Sequence, residues 1–167
     1  MDSSASTEFK YIAYTAAVGL FRILQLPSPW ENESKSTPLI INGASGAVGA
    51  FAVKLAKLSP TITPIIGIAG DSADFAKSVG CDVVLDYRSP TVAEDLASAL
   101  DGKTCLHVFD SSPSVASTKY LSSVVEEDGA KYTFTTGIQD EQKKHLKAFA
   151  ECKQIWYVST NQVAFAY

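Results

Sequence analysis

Apolar positions change their spacing repeatedly along this chain, and each change marks an element. From Glu8 to Leu26 the residues Phe9, Ile12, Ala13, Ala16, Ala17, Leu20, Ile23 and Leu24 recur at intervals of three and four. That spacing predicts an amphipathic helix, ended by Pro27 and Pro29. Residues 1–7 read as a disordered leader, and residues 28–37 as a polar loop whose Trp30 covers the edge of the core. Leu39, Ile40 and Ile41 form an unbroken apolar run between Pro38 and Asn42, the pattern of a strand covered on both faces. Helix formers follow from Ala47 to Leu58.

The alternation continues to the end of the chain. Ile62 to Ile68 predicts a second strand, broken by Pro64 and closed by Gly70, and a helix from Ala73 to Val79 begins at Asp71 or Ser72 and stops at Gly80. Strands are expected at Asp82 to Asp86, Cys105 to Phe109, Ala130 to Thr135 and Ile155 to Ser159. Helices are expected at Val92 to Leu100, from beyond Pro113 to about Val125, and at Gln139 to Cys152. Strands that alternate with helices build a parallel sheet, so the fold class is α/β: a doubly wound parallel sheet, or Rossmann fold, of about six strands with helices on both faces. The domain spans residues 8–167. Such sheets bind ligands at the carboxyl ends of their strands, which selects Gly43 to Val48, Ala69 to Ser72, Tyr87, Asp110 to Ser112, and Thr136 with Gly137.

The chemistry is densest between the first strand and its helix. Gly43, Gly46 and Gly49 follow one another at three-residue intervals where the strand turns into the helix. Gly43 permits a sharp turn, Gly46 allows a pyrophosphate to approach, and Gly49 lets the helix sit close to its strand. The helix start then leaves the N–H groups near Ser45, Gly46, Ala47 and Val48 free to hold a phosphate. No Gly-Lys-Ser/Thr closes the turn as in a P-loop, and Ala47 breaks the Gly-x-Ser-x-Gly elbow that Ser45 suggests. Ser45 is either a phosphate contact or only a turn former.

Composition narrows the partners. A chain of 167 residues with 46% hydrophobic and 19% charged content suits one globular domain. A net charge of -4 argues against a nucleic-acid surface. No apolar run approaches the ~20 residues that span a bilayer, and residues 1–7 do not resemble a secretory signal. Cys81, Cys105 and Cys152 are odd in number and far apart, which predicts reduced thiols in a cytoplasmic protein. The two histidines, His107 in a strand and His145 in a lysine-rich helix, do not cluster with the cysteines, so no metal site is expected.

The order of these segments resembles the medium-chain dehydrogenase/reductase superfamily, in particular its zinc-independent quinone oxidoreductase and fungal trans-enoyl reductase branch. The resemblance is carried by Tyr14-Thr15-Ala16-Ala17, by Asn42 to Gly49 with Val53 to Lys57, and by Lys77 to Asp82. Val84-Leu85-Asp86-Tyr87-Arg88 and Val108-Phe109-Asp110 continue it, so that it covers roughly Tyr14 to Gly137. It implies NADP(H) more than NAD(H) as cofactor. Ser45 to Val48 then hold the pyrophosphate and Tyr87 lies near the adenosine end, while Gly70, Asp71, Ser72, Asp110 and Ser111 are cofactor-binding candidates by their places at the strand ends. Thr136 and Gly137, with Thr15, face the nicotinamide.

Two features depart from the family pattern. NADPH-preferring members place a Lys or Arg after the second strand, where this chain has Ala69-Gly70-Asp71-Ser72. Asp71 reads either as a ligand of the ribose 2′-hydroxyl or as a helix N-cap. The second departure is that the family's preceding GroES-like catalytic domain has no counterpart, so the chain reads as the cofactor-binding half.

The resemblance therefore implies the cofactor-binding domain of an NAD(P)H-dependent oxidoreductase that reduces quinones or activated alkenes of the enone or enoyl type. A small-molecule substrate is expected, catalytic residues stay unassigned, and the chain alone is expected to be inactive. The alternatives are a non-catalytic dinucleotide sensor or scaffold and an S-adenosylmethionine-dependent methyltransferase. The last apolar strand also suggests a homodimer through the C-terminal edge, unless Val163 to Tyr167 cover it.

Overall fold

Among the residues described by the computed structural model, 3–31, 34–125, 128–146 and 149–155, six strands form one sheet. They are β1 (Leu39–Asn42), β2 (Ile65–Ala69), β3 (Val83–Asp86), β4 (His107–Asp110), β5 (Lys131–Phe134) and β6 (Glu151–Gln154). Their order across the sheet is β3-β2-β1-β4-β5-β6, and every pairing is parallel. The helices are α1 (Ser3–Ala17), α2 (Ala47–Ala56), α3 (Ala73–Ser78), α4 (Val92–Leu100), α5 (Val115–Ser122) and α6 (Asp140–His145). The chain runs outward from β1 to β3, then returns to β4 on the other side of β1. That reversal opens a crevice between β1 and β4 at their carboxyl ends.

Alternation of side chains across the strands builds two apolar layers. Leu39, Ile41, Ile65 and Phe109 face one side, where they meet Leu20 and Leu24 ahead of β1 and Ala52, Val53 and Ala56 of α2. Ile40, Ile66, Ile68 and Val108 face the other, against Leu96 and Leu100 of α4 and Leu121 of α5. Each fully buried Leu or Ile contributes about 1.5–3 kcal/mol, so the strands next to the crevice are anchored from both faces. This is the doubly wound architecture expected from the alternation, with helices on both faces.

Several boundaries differ from the sequence expectation. The first helix runs over Ser3–Ala17 and so starts within the segment read as a leader. At its other end, Val18–Ile23 form a π-helix, and the Leu24 N–H donates to the Gly19 carbonyl at 2.9 Å. This wider turn seats Gly19 where a Cβ would lie 2.3 Å from the Phe109 ring and 2.8 Å from Ile155. Trp30 is 82% exposed and covers no core. The second strand starts only after Pro64, which lacks the N–H a ladder needs.

The largest difference lies near the C-terminus. The helix expected over Gln139 to Cys152 stops at His145, and Glu151 and Cys152 belong to β6. Glu151 pairs with Lys131 and Lys153 with Thr133 in register, giving a polar edge strand with no apolar run to announce it. The strand expected at Ile155 to Ser159 lies outside the described residues except for Ile155, which is 5% exposed and packed into the core. Val163 to Tyr167 also lie outside them.

Candidate functional site

The turn after β1 is fixed by backbone. Gly43 adopts a φ of +74°, a conformation that L side chains rarely take. The N–H groups of Gly43 and Ala44 both donate to the Ile68 carbonyl at 3.0 Å, and the Gly46 N–H donates to the Gly43 carbonyl at 2.9 Å. Gly49 sits so close to the turn that a Cβ there would fall 2.1 Å from the Gly43 oxygen. Gly46 occupies the N-cap of α2 without a side-chain cap, so the first helical N–H groups, at Ala47 and Val48, have no acceptor inside the helix. The Ser45 hydroxyl has no hydrogen-bond partner among the described residues. An open helix start, a glycine at its N-cap and an unpartnered hydroxyl make an anion cradle.

A cavity of about 530 Å³ opens in front of this turn. Asn42, Gly43, Ser45 and Gly46 line one wall, Ile68, Ala69, Gly70 and Tyr87 a second, and Ser111, Ser112, Pro113, Ser114, Ser117 and Tyr120 the third. The cavity therefore lies over the carboxyl ends of β1, β2 and β4, where the sheet topology places a ligand. Ser111 ties the third wall to the turn, because its hydroxyl bridges the Asn42 carbonyl at 2.9 Å and the Gly43 carbonyl at 3.2 Å.

Beneath the cavity lies a polar hub. Asp110 is fully buried at the end of β4, opposite Asn42 in the ladder. One carboxylate oxygen accepts from Asn42 Nδ2 at 2.8 Å and the Ser112 N–H at 2.9 Å, the other from the Tyr132 hydroxyl at 2.7 Å and the Ser117 hydroxyl at 3.2 Å. Asn42 in turn accepts from the Tyr120 hydroxyl at 3.0 Å and donates to the Ser112 carbonyl at 3.1 Å. Burial raises the Asp110 pKa, opposed by the bonds from Tyr132, Asn42, Ser112 and Ser117. Burial, with the nearby Asp110 charge, also holds the Tyr120 and Tyr132 phenols above their ordinary pKa. Neither phenol serves as a base near neutral pH.

The rim over β2 and β3 is charged. Arg88 donates from Nε and Nη2 to the Asp86 carboxylate at 2.8–3.2 Å, and its Nη1 lies 2.7 Å from Asp71. Those contacts hold the Asp86 carboxyl below its usual range. The guanidinium also lies 5.8 Å from the Tyr87 ring centroid, and Tyr87 packs on Gly70, where a Cβ would meet it at 2.8 Å.

Of the residues selected from sequence, Gly43, Ser45, Gly46, Ala69, Gly70, Tyr87, Ser111 and Ser112 line the cavity. Ala47 and Val48 stand at the helix start beside it. Asp110 lies under the floor, with its oxygens turned to protein donors. Ser72, not Asp71, holds the N-cap position of α3, so Asp71 is paired with Arg88 rather than capping. Thr136 and Gly137 follow β5 and do not line this cavity. Sequence reasoning missed Asn42, Ser114, Ser117 and Tyr120. Their signal was the three-residue spacing Ser114, Ser117, Tyr120, which puts all three on one face of α5 behind a Ser114 to Ser117 capping box. Arg88 was visible in the sequence but carried no assigned role.

No family profile matches the sequence. A trans-enoyl reductase, fsr4, of Gibberella fujikuroi is 36% identical over 132 residues, which is 74% of this chain and 38% of that protein. A dehydrogenase, azaJ, of Aspergillus niger is 34% identical over 128 residues, 71% of this chain and 36% of the relative. The chain thus spans little more than a third of the length of these curated relatives. Among solved structures, CurA of Vibrio vulnificus in complex with NADPH superposes with a TM-score of 0.67 at 21% identity, covering 89% of this chain and 45% of that one. The CurK enoyl reductase does so with a TM-score of 0.65 at 18% identity, covering 86% and 40%.

Proposed function

We propose that this chain, which is similar to fungal trans-enoyl reductases and shares its fold with solved enoyl reductases, is the NADP(H)-binding part of an enoyl- or quinone-reducing oxidoreductase of the medium-chain dehydrogenase/reductase superfamily. One observation carries the reading: the uncapped start of α2, the free Ser45 hydroxyl and Gly46 converge on a cavity at the sheet's reversal point. The residues fit a dinucleotide. The N–H groups at Ala47 and Val48 with Ser45 would hold the pyrophosphate, Tyr87 and Gly70 would face the adenosine, and Thr136 with Gly137 would lie toward the nicotinamide. The cofactor supplies the hydride that reduces an activated double bond or a quinone. The chain's own part is to bind and orient it, with the Asp110 hub keeping the Asn42 and α5 walls in place.

Calorimetric titration of the protein with NADPH, NADH and S-adenosylmethionine tests this. Micromolar binding of a nicotinamide dinucleotide without binding of S-adenosylmethionine is expected; the reverse preference would make the protein a methyltransferase-like binder and overturn the reading. A second reading, a dinucleotide sensor without turnover, is favoured by one observation. The titratable side chains on the cavity wall are Tyr87 and Tyr120, and Tyr120 is committed to Asn42. Tight binding without reduction of any quinone or enone, even with the chain joined to all its native flanking sequence, would select it. Self-pairing along the C-terminal edge rests on β6 being the last strand of the sheet among the described residues, but Glu151 paired with Lys131 and Lys153 makes that edge charged. A sedimentation mass of one chain at high concentration would remove the dimer.

A further inference from the structure

We propose that Arg88, anchored by Asp86, is the cation that selects a ribose 2′-phosphate, and that Asp71 is a built-in competitor for it. The inference rests on the dinucleotide reading above and adds which cofactor is chosen and how. The sequence after β2 lacks the expected basic residue, yet the fold returns one to the same place from the end of β3. Tyr87 and Gly70 line the cavity, and Arg88 lies against the Tyr87 ring. Asp86 takes one edge of the guanidinium, through Nε and Nη2, and also accepts the Arg88 backbone N–H at 2.9 Å. The head is thereby fixed with Nη1 pointing along the rim. What Nη1 meets is the Asp71 carboxylate, at 2.7 Å.

The two acidic partners are not equivalent. Asp86 ends a strand and holds Arg88 through three of its nitrogens, backbone included, whereas the Asp71 side chain is 90% exposed and holds it through one. Asp71 can turn into solvent with little loss, because an exposed ion pair contributes little. A phosphomonoester carries about -1.5 to -2 charges at neutral pH and three acceptor oxygens, so it displaces a single carboxylate from Nη1. The displaced Asp71 remains nearby and repels the phosphate. Asp71 therefore lowers NADPH affinity without being needed for it, and the pair together sets a preference that neither residue sets alone.

The test is calorimetry on the whole protein with NADPH, NADH, adenosine 2′,5′-bisphosphate and AMP. Arg88→Met is expected to weaken NADPH and the bisphosphate by about tenfold or more, the value of one charge-assisted contact, with NADH and AMP within about twofold. Asp71→Asn, at a fully solvated position, is expected to tighten NADPH by about three- to tenfold and to leave NADH unchanged or weaker. The steeper salt dependence of NADPH binding should vanish in Arg88→Met. If Arg88→Met weakens all four ligands alike, Arg88 is a brace for the β3 end and the inference falls while the dinucleotide reading stands. Failure of Asp71→Asn to move the NADPH to NADH ratio removes the competitor. If the unaltered protein binds neither dinucleotide, the dinucleotide reading falls and takes this inference with it.

Discussion

The glycine turn and the Asp110 hub meet at the ends of β1 and β4, yet they are built by opposite means. The turn is made of backbone: seven consecutive residues, Gly43 to Gly49, bend through a left-handed glycine and leave N–H groups facing outward. The hub is made of side chains brought from Asn42, Asp110, Ser117, Tyr120 and Tyr132. One exposes unsatisfied donors, and the other leaves none of its own unsatisfied. A site for an anion needs both, since open donors are useful only on a wall that does not move.

The difference predicts how each half breaks. Asp110→Ala should be the most damaging change, because it strips the acceptor from Tyr132, Asn42, Ser117 and the Ser112 N–H in a buried place. A loss of about 4 kcal/mol in urea unfolding is expected, and about half that for Asp110→Asn, which keeps the shape and part of the acceptor capacity. A loss under 1 kcal/mol for Asp110→Ala would mean that water or rearranged hydroxyls replace the carboxylate. Gly49→Val should follow at about 3 kcal/mol, since its Cβ would strike the Gly43 carbonyl, which is backbone and cannot swing aside. In that variant dinucleotide binding should be lost even where the protein stays folded.

The same contrast explains what could be read from the sequence. The turn is local, so glycine spacing after an apolar run revealed it; helix α4, with Thr91 before it and Asp101-Gly102 after it, matched its expected bounds for the same reason. The hub is assembled across as many as 90 residues, from Asn42 to Tyr132, and an Asp at a strand end looks the same whether it faces a ligand or four protein donors. The polar edge strand β6 was hidden because its stability comes from pairing with β5, while its residues, Glu151 to Gln154, carry no strand pattern. The charged rim failed differently. Asp71 and Arg88 were both in view, but only the parallel pairing of β2 with β3 puts them together.

Strand β4 carries the comparison to acid pH, because it has a titratable group at each end, His107 half-buried and Asp110 fully buried. Burial first and the Lys131 charge second bring the His107 pKa down to about 4, against a hydrogen bond to the Pro38 carbonyl that raises it; its Nδ1 has no partner among the described residues. The unfolded chain thus binds a proton near pH 6.5 that the folded one refuses until about pH 4. Stability from this residue falls as pH drops through that window and levels off below it. Asp110 acts with the opposite sign, since a raised carboxyl pKa makes the folded state the better proton acceptor and stability is lost as pH rises through the window above 3.8. Unfolding measured between pH 7 and 4 should show a fall of about 2 kcal/mol that His107→Gln flattens; an unchanged slope in that variant would assign the fall elsewhere.

The smallest effect separates the two halves most cleanly. Ser45 and Ser117 are both serines on the cavity wall, and their hydroxyls are engaged differently. Ser117 donates to Asp110 at 3.2 Å and accepts the Ser114 N–H at 2.8 Å, whereas Ser45 has no partner among the described residues. Ser117→Ala should therefore lower stability by about 1 kcal/mol and leave dinucleotide affinity nearly unchanged. Ser45→Ala should do the reverse, weakening dinucleotide binding by about fivefold, or about 1 kcal/mol, with no change in the unfolding midpoint. Paired calorimetry and urea unfolding on the two variants decide it. If Ser45→Ala destabilises the fold without touching affinity, Ser45 belongs to the scaffold, and the anion cradle reduces to the backbone of Gly46, Ala47 and Val48.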